Sequence, residues 1–304
     1  MDFSTLLNYL CLFVCSCNLL VAFLFLTTAI VFRKRCSTFP TLLACNTALG
    51  TLIFSTNNIV VLVYMFIWDR QASPTVDIFC SIRAYVHHST TAWIHHSLVL
   101  QAIEKFCKIK NIALVTTRRR QIAFVLAQWT FDFTFDLPVL LTGNMPKMVV
   151  DNVCFVSLFR MDLLSYMAVL SFMATGISLS IIYRRLVNHV RQASIVATSN
   201  QQSHMRRDLV MVRRIVLLNS ELGIAGIPMI ILVVITVIRA DLLPARWMRG
   251  LLLMVFLPLS PMLILLFWLT PALRQSLVQC RNRVRPVRLA GNTRVHLPTD
   301  PPRF

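Results

Sequence analysis

Four histidines, His87, His88, His95 and His96, and three carboxylates, Asp132, Asp136 and Glu221, stand inside otherwise apolar stretches of this 304-residue chain. Imidazole ligates metals and moves protons, and a carboxylate in an apolar run marks an ion path, a proton relay or a hydrogen bond between helices. The histidine pairs lie eight residues apart, whereas chelation from one helix uses an i, i+4 pair, so the spacing argues against a metal site. Two roles stay open for His87, bonding a neighbouring helix or touching a ligand. The acids are open in the same way, between function and protonated or helix-bridging carboxyls. No CxxC pair, Gly-rich phosphate loop, hydrolase elbow or internal repeat accompanies them. The expectation is a protein that is not an enzyme and has no cofactor and no metal.

The elements that must position these groups are membrane helices. Hydrophobic residues make up 57% of the chain and charged residues 14%, against about 25% charged in a typical soluble domain. The mean hydropathy is +0.69. Several apolar runs exceed the roughly 18 residues that mark a spanning helix, which excludes a soluble α/β enzyme with buried parallel strands. The stretch from Cys80 to Phe106 is the expected centre: His87, Thr91 and His95 recur every four residues as a polar stripe, and a polar stripe in a spanning helix should face protein. From Cys80 to Lys105 such a helix covers roughly 38 Å, enough for a tilted crossing.

Seven segments are expected, at 6–32, 39–67, 80–106, 121–141, 163–183, 215–238 and 251–269. An all-α seven-helix bundle over residues 1–280 follows, with a basic, disordered tail over 281–304. Arg33, Lys34 and Arg35 come after the first apolar run instead of before it, so that run reads as a retained helix and not as a cleaved signal. Of the 30 Lys and Arg residues, 23 fall on the side that holds the odd-numbered loops and the tail. The positive-inside rule then sets the N-terminus outside and the C-terminus in the cytoplasm of a multi-pass plasma-membrane protein. That topology accounts for the net charge of +18 without nucleic acid as a partner. The basic loops read as topology determinants or as partner surfaces, and tail arginines can touch anionic membrane lipids. Among the nine cysteines only Cys80 and Cys154 are left on the outer side.

Asn18 with Val21, Asn46 with Ala48, the Cys80 and Cys154 pair, Glu104-Lys105, Trp129, Tyr183, Pro228 and Pro261 occur in an order and spacing that resemble the rhodopsin-like family of G-protein-coupled receptors. The likeness covers about residues 6–280. It implies a Cys80–Cys154 disulfide and a short amphipathic helix over 270–280 ending in a lipidated Cys280. It also implies a heterotrimeric G protein as the cytoplasmic partner and an activation switch involving Glu104, Lys105, Tyr183, Pro228 and Pro261. The chain departs from the pattern at Thr51, where the family has aspartate, at Lys105, at Thr175, at Gly226, and at Ser260-Pro261-Met262-Leu263-Ile264.

On this reading an extracellular small molecule or short peptide binds in the outer half, among Asn58, His87, His88, Thr91, Met167, Ser171, Met229, Val233 and Gly250. Neutral imidazoles and hydroxyls suit a polar or weakly acidic ligand. At the inner end Lys105 is expected to hold the sixth segment through Asp208, with Glu104 as an alternate partner; interfacial charges without a switching role are the other reading of that trio. The alternatives to a receptor are an ion or solute transporter or channel that uses the intramembrane carboxylates, and a seven-helix partner protein without signalling.

Overall fold

The computed structural model describes residues 3–71, 77–110, 112, 117–148, 151–157, 160–193, isolated positions between 210 and 238, and 247–276. Its elements are helices α1 (Phe3–Val31), α2 (Arg33–Cys36), α3 (Phe39–Asp69), α4 (Cys80–Ile109), α5 (Arg118–Thr134) and α6 (Leu137–Leu141), followed by a two-stranded hairpin, β1 (Lys147–Met148) and β2 (Val153–Cys154). Helix α7 (Met161–Ala168) runs through a π-turn at Val169–Met173 into α8 (Ala174–Ala193), and α9 (Met248–Phe256) and α10 (Leu259–Leu269) complete the set. Among the described residues, five helical stretches are long and apolar enough to cross a membrane: Phe3–Val31, Phe39–Asp69, Arg118–Leu141, Met161–Gln192 and Met248–Leu269. Most of the sixth expected segment, with Asp208, Glu221, Gly226, Pro228, Met229 and Val233 in or beside it, lies outside the described residues, as do Cys280 and the tail.

Helix α4 has the length of a crossing but too polar a composition to stand among those five, and its surroundings explain why. It packs against α3, α5, the π-turn, α8 and β2, and its buried residues include Arg83, His87, Ser89, Thr90, His95, Ser97, Gln101 and Lys105. Polar groups away from water must be paired inside the protein, and α4 has a protein neighbour on most sides to pair with. The outer helices show the opposite pattern, with Phe13, Phe23, Ile30, Ile177 and Trp268 among their exposed apolar side chains. Such a belt suits contact with lipid.

Prolines set the interruptions. Pro40 lies in the first turn of α3, where a missing N–H costs nothing. Pro138 lies in the first turn of α6, and the helical run of the fourth segment breaks at Phe135–Asp136 instead of continuing to 141. In the seventh segment the chain breaks at Leu257–Pro258. Pro261 has no N–H to give the Leu257 carbonyl and Pro258 none to give that of Met254, so two rungs of the ladder are lost there. The Phe256 carbonyl beside the break instead accepts a 2.9 Å hydrogen bond from Asn18 Nδ2, and Ser260 Oγ donates to Asn18 Oδ1. The fifth segment starts at Met161 and extends to Ala193, beyond the expected 163–183, because its basic C-terminal end continues the helix. Residues 271–276 are helical, with Leu273 and Ser276 buried.

Candidate functional site

The end of the bundle at which α4 begins is closed by the β1–β2 hairpin. Lys147 faces Cys154 and Met148 faces Val153 in antiparallel register. Asn152 in the turn has φ 51°, a left-handed conformation that asparagine tolerates better than most residues. Contacts to α3, α4 and α9 tie this lid down. Cys154 is disulfide-bonded to Cys80 at the start of α4. Asn152 Nδ2 donates to Asp69 Oδ1 at 3.0 Å, and Asp151 Oδ1 accepts from the Met248 backbone N–H at 3.2 Å. The Phe155 ring lies 4.6 Å from the His88 ring and 6.1 Å from that of His87.

Beside the lid stands a buried ion pair. Arg249 has no exposed surface, and one of its terminal nitrogens donates to both oxygens of Asp69, at 2.8 and 2.7 Å, while the other donates to the Ser4 carbonyl at 3.4 Å. This joins α1, α3 and α9 beside the hairpin. A second cluster at this end centres on Arg83, which pairs with Asp77 and lies over the rings of Tyr64 and Trp68. Lys147 sits 3.8 Å from the centre of the Trp68 ring, and burial lowers the pKa of its ammonium.

Beneath Phe155 the expected ligand residues come together in part. His87 Nδ1 donates to Asn58 Oδ1 at 2.8 Å, and its ring packs on Phe54 at 5.1 Å and on His88 at 5.2 Å. His88 Nε2 is buried without a partner among the described residues. Thr91 bonds back to the His87 carbonyl at 2.7 Å and lines a cavity of about 30 Å³ together with Phe54, Ile94, His95, Phe172, Val255 and Leu259. Met167 and Ser171 are buried on the neighbouring helical run, Ser171 within the π-turn. Gly250 follows Arg249 with open space where a side chain would begin. About 30 Å³ holds a water or two, whereas a ligand pocket usually measures roughly 300–1,000 Å³.

A continuous polar network lies deeper. The indole nitrogens of Trp93 and Trp129 both donate to Asn46 Oδ1, at 3.0 and 2.7 Å. Asn46 Nδ2 donates to Gln128 Oε1 at 2.9 Å, and Gln128 Nε2 donates to the Trp93 carbonyl at 2.9 Å and to Asp132 Oδ2 at 3.0 Å. Asp132 Oδ1 is 2.5 Å from His96 Nδ1, and His96 Nε2 is 3.2 Å from the Leu170 carbonyl in the π-turn. Indole only donates, which forces the orientation of both amides and directs the bonds from the two indoles through Asn46 and Gln128 toward Asp132. Asp136 is also fully buried, with Oδ2 accepting from Ser89 Oγ at 3.2 Å and Oδ1 unpartnered among the described residues.

At the opposite end of α4 Lys105 is buried and pairs with Glu104 at 3.0 Å. Tyr183 is half-buried on α8, and Pro261 is exposed on the outer face of α10. Sequence reasoning passed over Asp69, Arg249, Gln128 and Phe155. Signals existed for the first two, since Asp69 directly follows the interfacial Trp68 and Arg249 opens the last apolar run. Among the described residues no group of three or more His, Cys, Asp or Glu side chains could hold a metal ion. No protein-family model matches the chain, and no curated protein matches it.

Proposed function

We propose that the chain is a divergent rhodopsin-like G-protein-coupled receptor of the plasma membrane, with seven crossings, an extracellular N-terminus and a cytoplasmic C-terminus. In this reading it binds an extracellular small molecule or short peptide between its helices and passes the change to a heterotrimeric G protein, without an enzymatic step. The observation that carries the reading is the environment of α4: a polar helix enclosed by apolar ones, disulfide-tied to an outer lid and ending inside in the buried Glu104–Lys105 pair. A ligand works in such a bundle by binding one arrangement of the helices more tightly than the other. Both oxygens of Asp132 are occupied by His96 and Gln128, which speaks for a helix-bridging role over the ion path of a transporter.

In the outer half, His87 and Thr91 face the ligand with Asn58, His88, Met167 and Ser171 around them, and Met229, Val233 and Gly250 complete the site from the last two segments. At the inner end, Lys105 exchanges Asp208 for Glu104 when the sixth segment opens. The test is a mixed library of small molecules and short peptides applied to cells that express the full chain, with a second-messenger readout. A response that His87→Ala abolishes supports the site; a response that His87→Ala leaves intact contradicts it.

A further inference from the structure

The outer half of the bundle contains a side chain that belongs to the lid and not to the helices. Phe155 directly follows the disulfide-bonded Cys154, and its backbone N–H donates to the Pro146 carbonyl at 3.3 Å. Its ring is 8% exposed and lies against His88 at 4.6 Å and His87 at 6.1 Å. On its other side the His87 ring meets Phe54, Phe54 meets Phe256 edge-on at 5.7 Å, and Phe54 is also a wall of the cavity beneath. The rings of His87 and Phe54 therefore stand between Phe155 and that cavity, of about 30 Å³. Thr91, on the cavity wall, lies only one helical turn below His87, about 6 Å along α4.

We propose that Phe155 is a tethered occupant of the ligand site, and that the ligand this site takes presents an aromatic group in its place, stacked on His87 and His88. The inference rests on the receptor reading for its biological meaning and on ring geometry for its chemistry. Two imidazoles and a phenyl ring favour an aromatic over an aliphatic group of equal size, through edge-to-face and offset contacts. The unpartnered His88 Nε2 adds a place for one hydroxyl or N–H on that ring. Anchorage through the Cys80–Cys154 bond keeps the occupant at high local concentration, so a free ligand must displace it.

The experiment compares the wild-type chain with Phe155→Ala in nanodiscs and measures binding of phenol and of cyclohexanol by saturation-transfer NMR. A void left by truncating one large buried side chain takes up small molecules of matching shape. The expected result is phenol binding about tenfold tighter in Phe155→Ala than in wild type, with cyclohexanol about tenfold weaker than phenol, the discrimination that aromatic pairing gives. Phe155→Leu keeps most of the apolar volume and the fold while removing the ring, and it should show the same order of probes. Equal phenol binding in wild type and both variants, or equal uptake of the two probes, overturns the proposal. Probe binding needs no G protein, so a chain that never stimulates nucleotide exchange fails as a receptor while the phenol result stands or falls separately.

Discussion

His96 Nδ1 lies 2.5 Å from Asp132 Oδ1, while His96 Nε2 faces the Leu170 carbonyl at 3.2 Å. A carbonyl only accepts, so Nε2 carries a proton, and a second proton must lie between Nδ1 and Oδ1, since two lone pairs at that separation would repel. Ion pair or neutral pair, the unit has no net charge, which is what an apolar bundle tolerates.

Asp132→Asn is therefore expected to be mild. The new amide can donate to neutral Nδ1 through its nitrogen and accept the Gln128 bond through its oxygen, so stability should change by less than about 1 kcal/mol. Asp132→Ala strands His96 Nδ1 and removes one of the two hydrogen bonds of Gln128 Nε2, and should cost about 1–3 kcal/mol. Thermal unfolding in nanodiscs checks both, and equal losses in the two variants would show that the contact is not the one described.

Asp69→Ala leaves the Arg249 guanidinium without its carboxylate at a site with no exposed surface. Removing one partner of such a pair costs about 3–5 kcal/mol, whereas replacing both with apolar residues is often neutral. The double variant Asp69→Leu, Arg249→Met should recover most of the folded yield lost in Asp69→Ala, as read by size-exclusion of detergent-solubilised protein.

Cys80→Ser with Cys154→Ser frees the lid from a disulfide that links residues at a sequence separation of 74. The expected loss is about 2–4 kcal/mol, mostly from the greater freedom of the unfolded chain. Non-reduced peptide mapping should find the Cys80 and Cys154 peptides linked in the wild-type chain, and two free thiols there would remove the lid's anchor.

Asn46 accepts from two indoles and donates to Gln128, so Asn46→Ala leaves three groups unpaired. A loss of about 1–3 kcal/mol is expected, with a change in the emission of Trp93 and Trp129. Unchanged emission would mean that those indoles find their partner elsewhere.

Apolar run length located the five described stretches that are long and apolar enough to cross a membrane to within a few residues, except the C-terminal end of the fifth segment, which runs ten residues further to Ala193. The enclosure of α4 was legible from its polar stripe, since lipid would not tolerate it. Pairing was not legible. Asn46, Gln128, Asp132 and His96 are 82, 4 and 36 residues apart in successive steps, and no local pattern relates helices brought together only by packing. The π-turn left no periodic signature in so apolar a run, and the inward ring of Phe155 followed from hairpin register, which two-residue strands do not announce. The internal breaks in the fourth and seventh segments have a local cause that Pro138, Pro258 and Pro261 did carry.

The central claim is that ligand binding outside reaches a G protein inside through Lys105. Its most direct measurement is GDP release from a panel of purified heterotrimeric G proteins by the full chain in nanodiscs, with Lys105→Arg and Asp208→Asn beside the wild type. A lysine makes a single-point contact where arginine makes a planar two-pronged one, so the account predicts measurable basal exchange, lowered by Lys105→Arg and raised by Asp208→Asn. Exchange indistinguishable from empty nanodiscs for all three proteins and every G protein would contradict it.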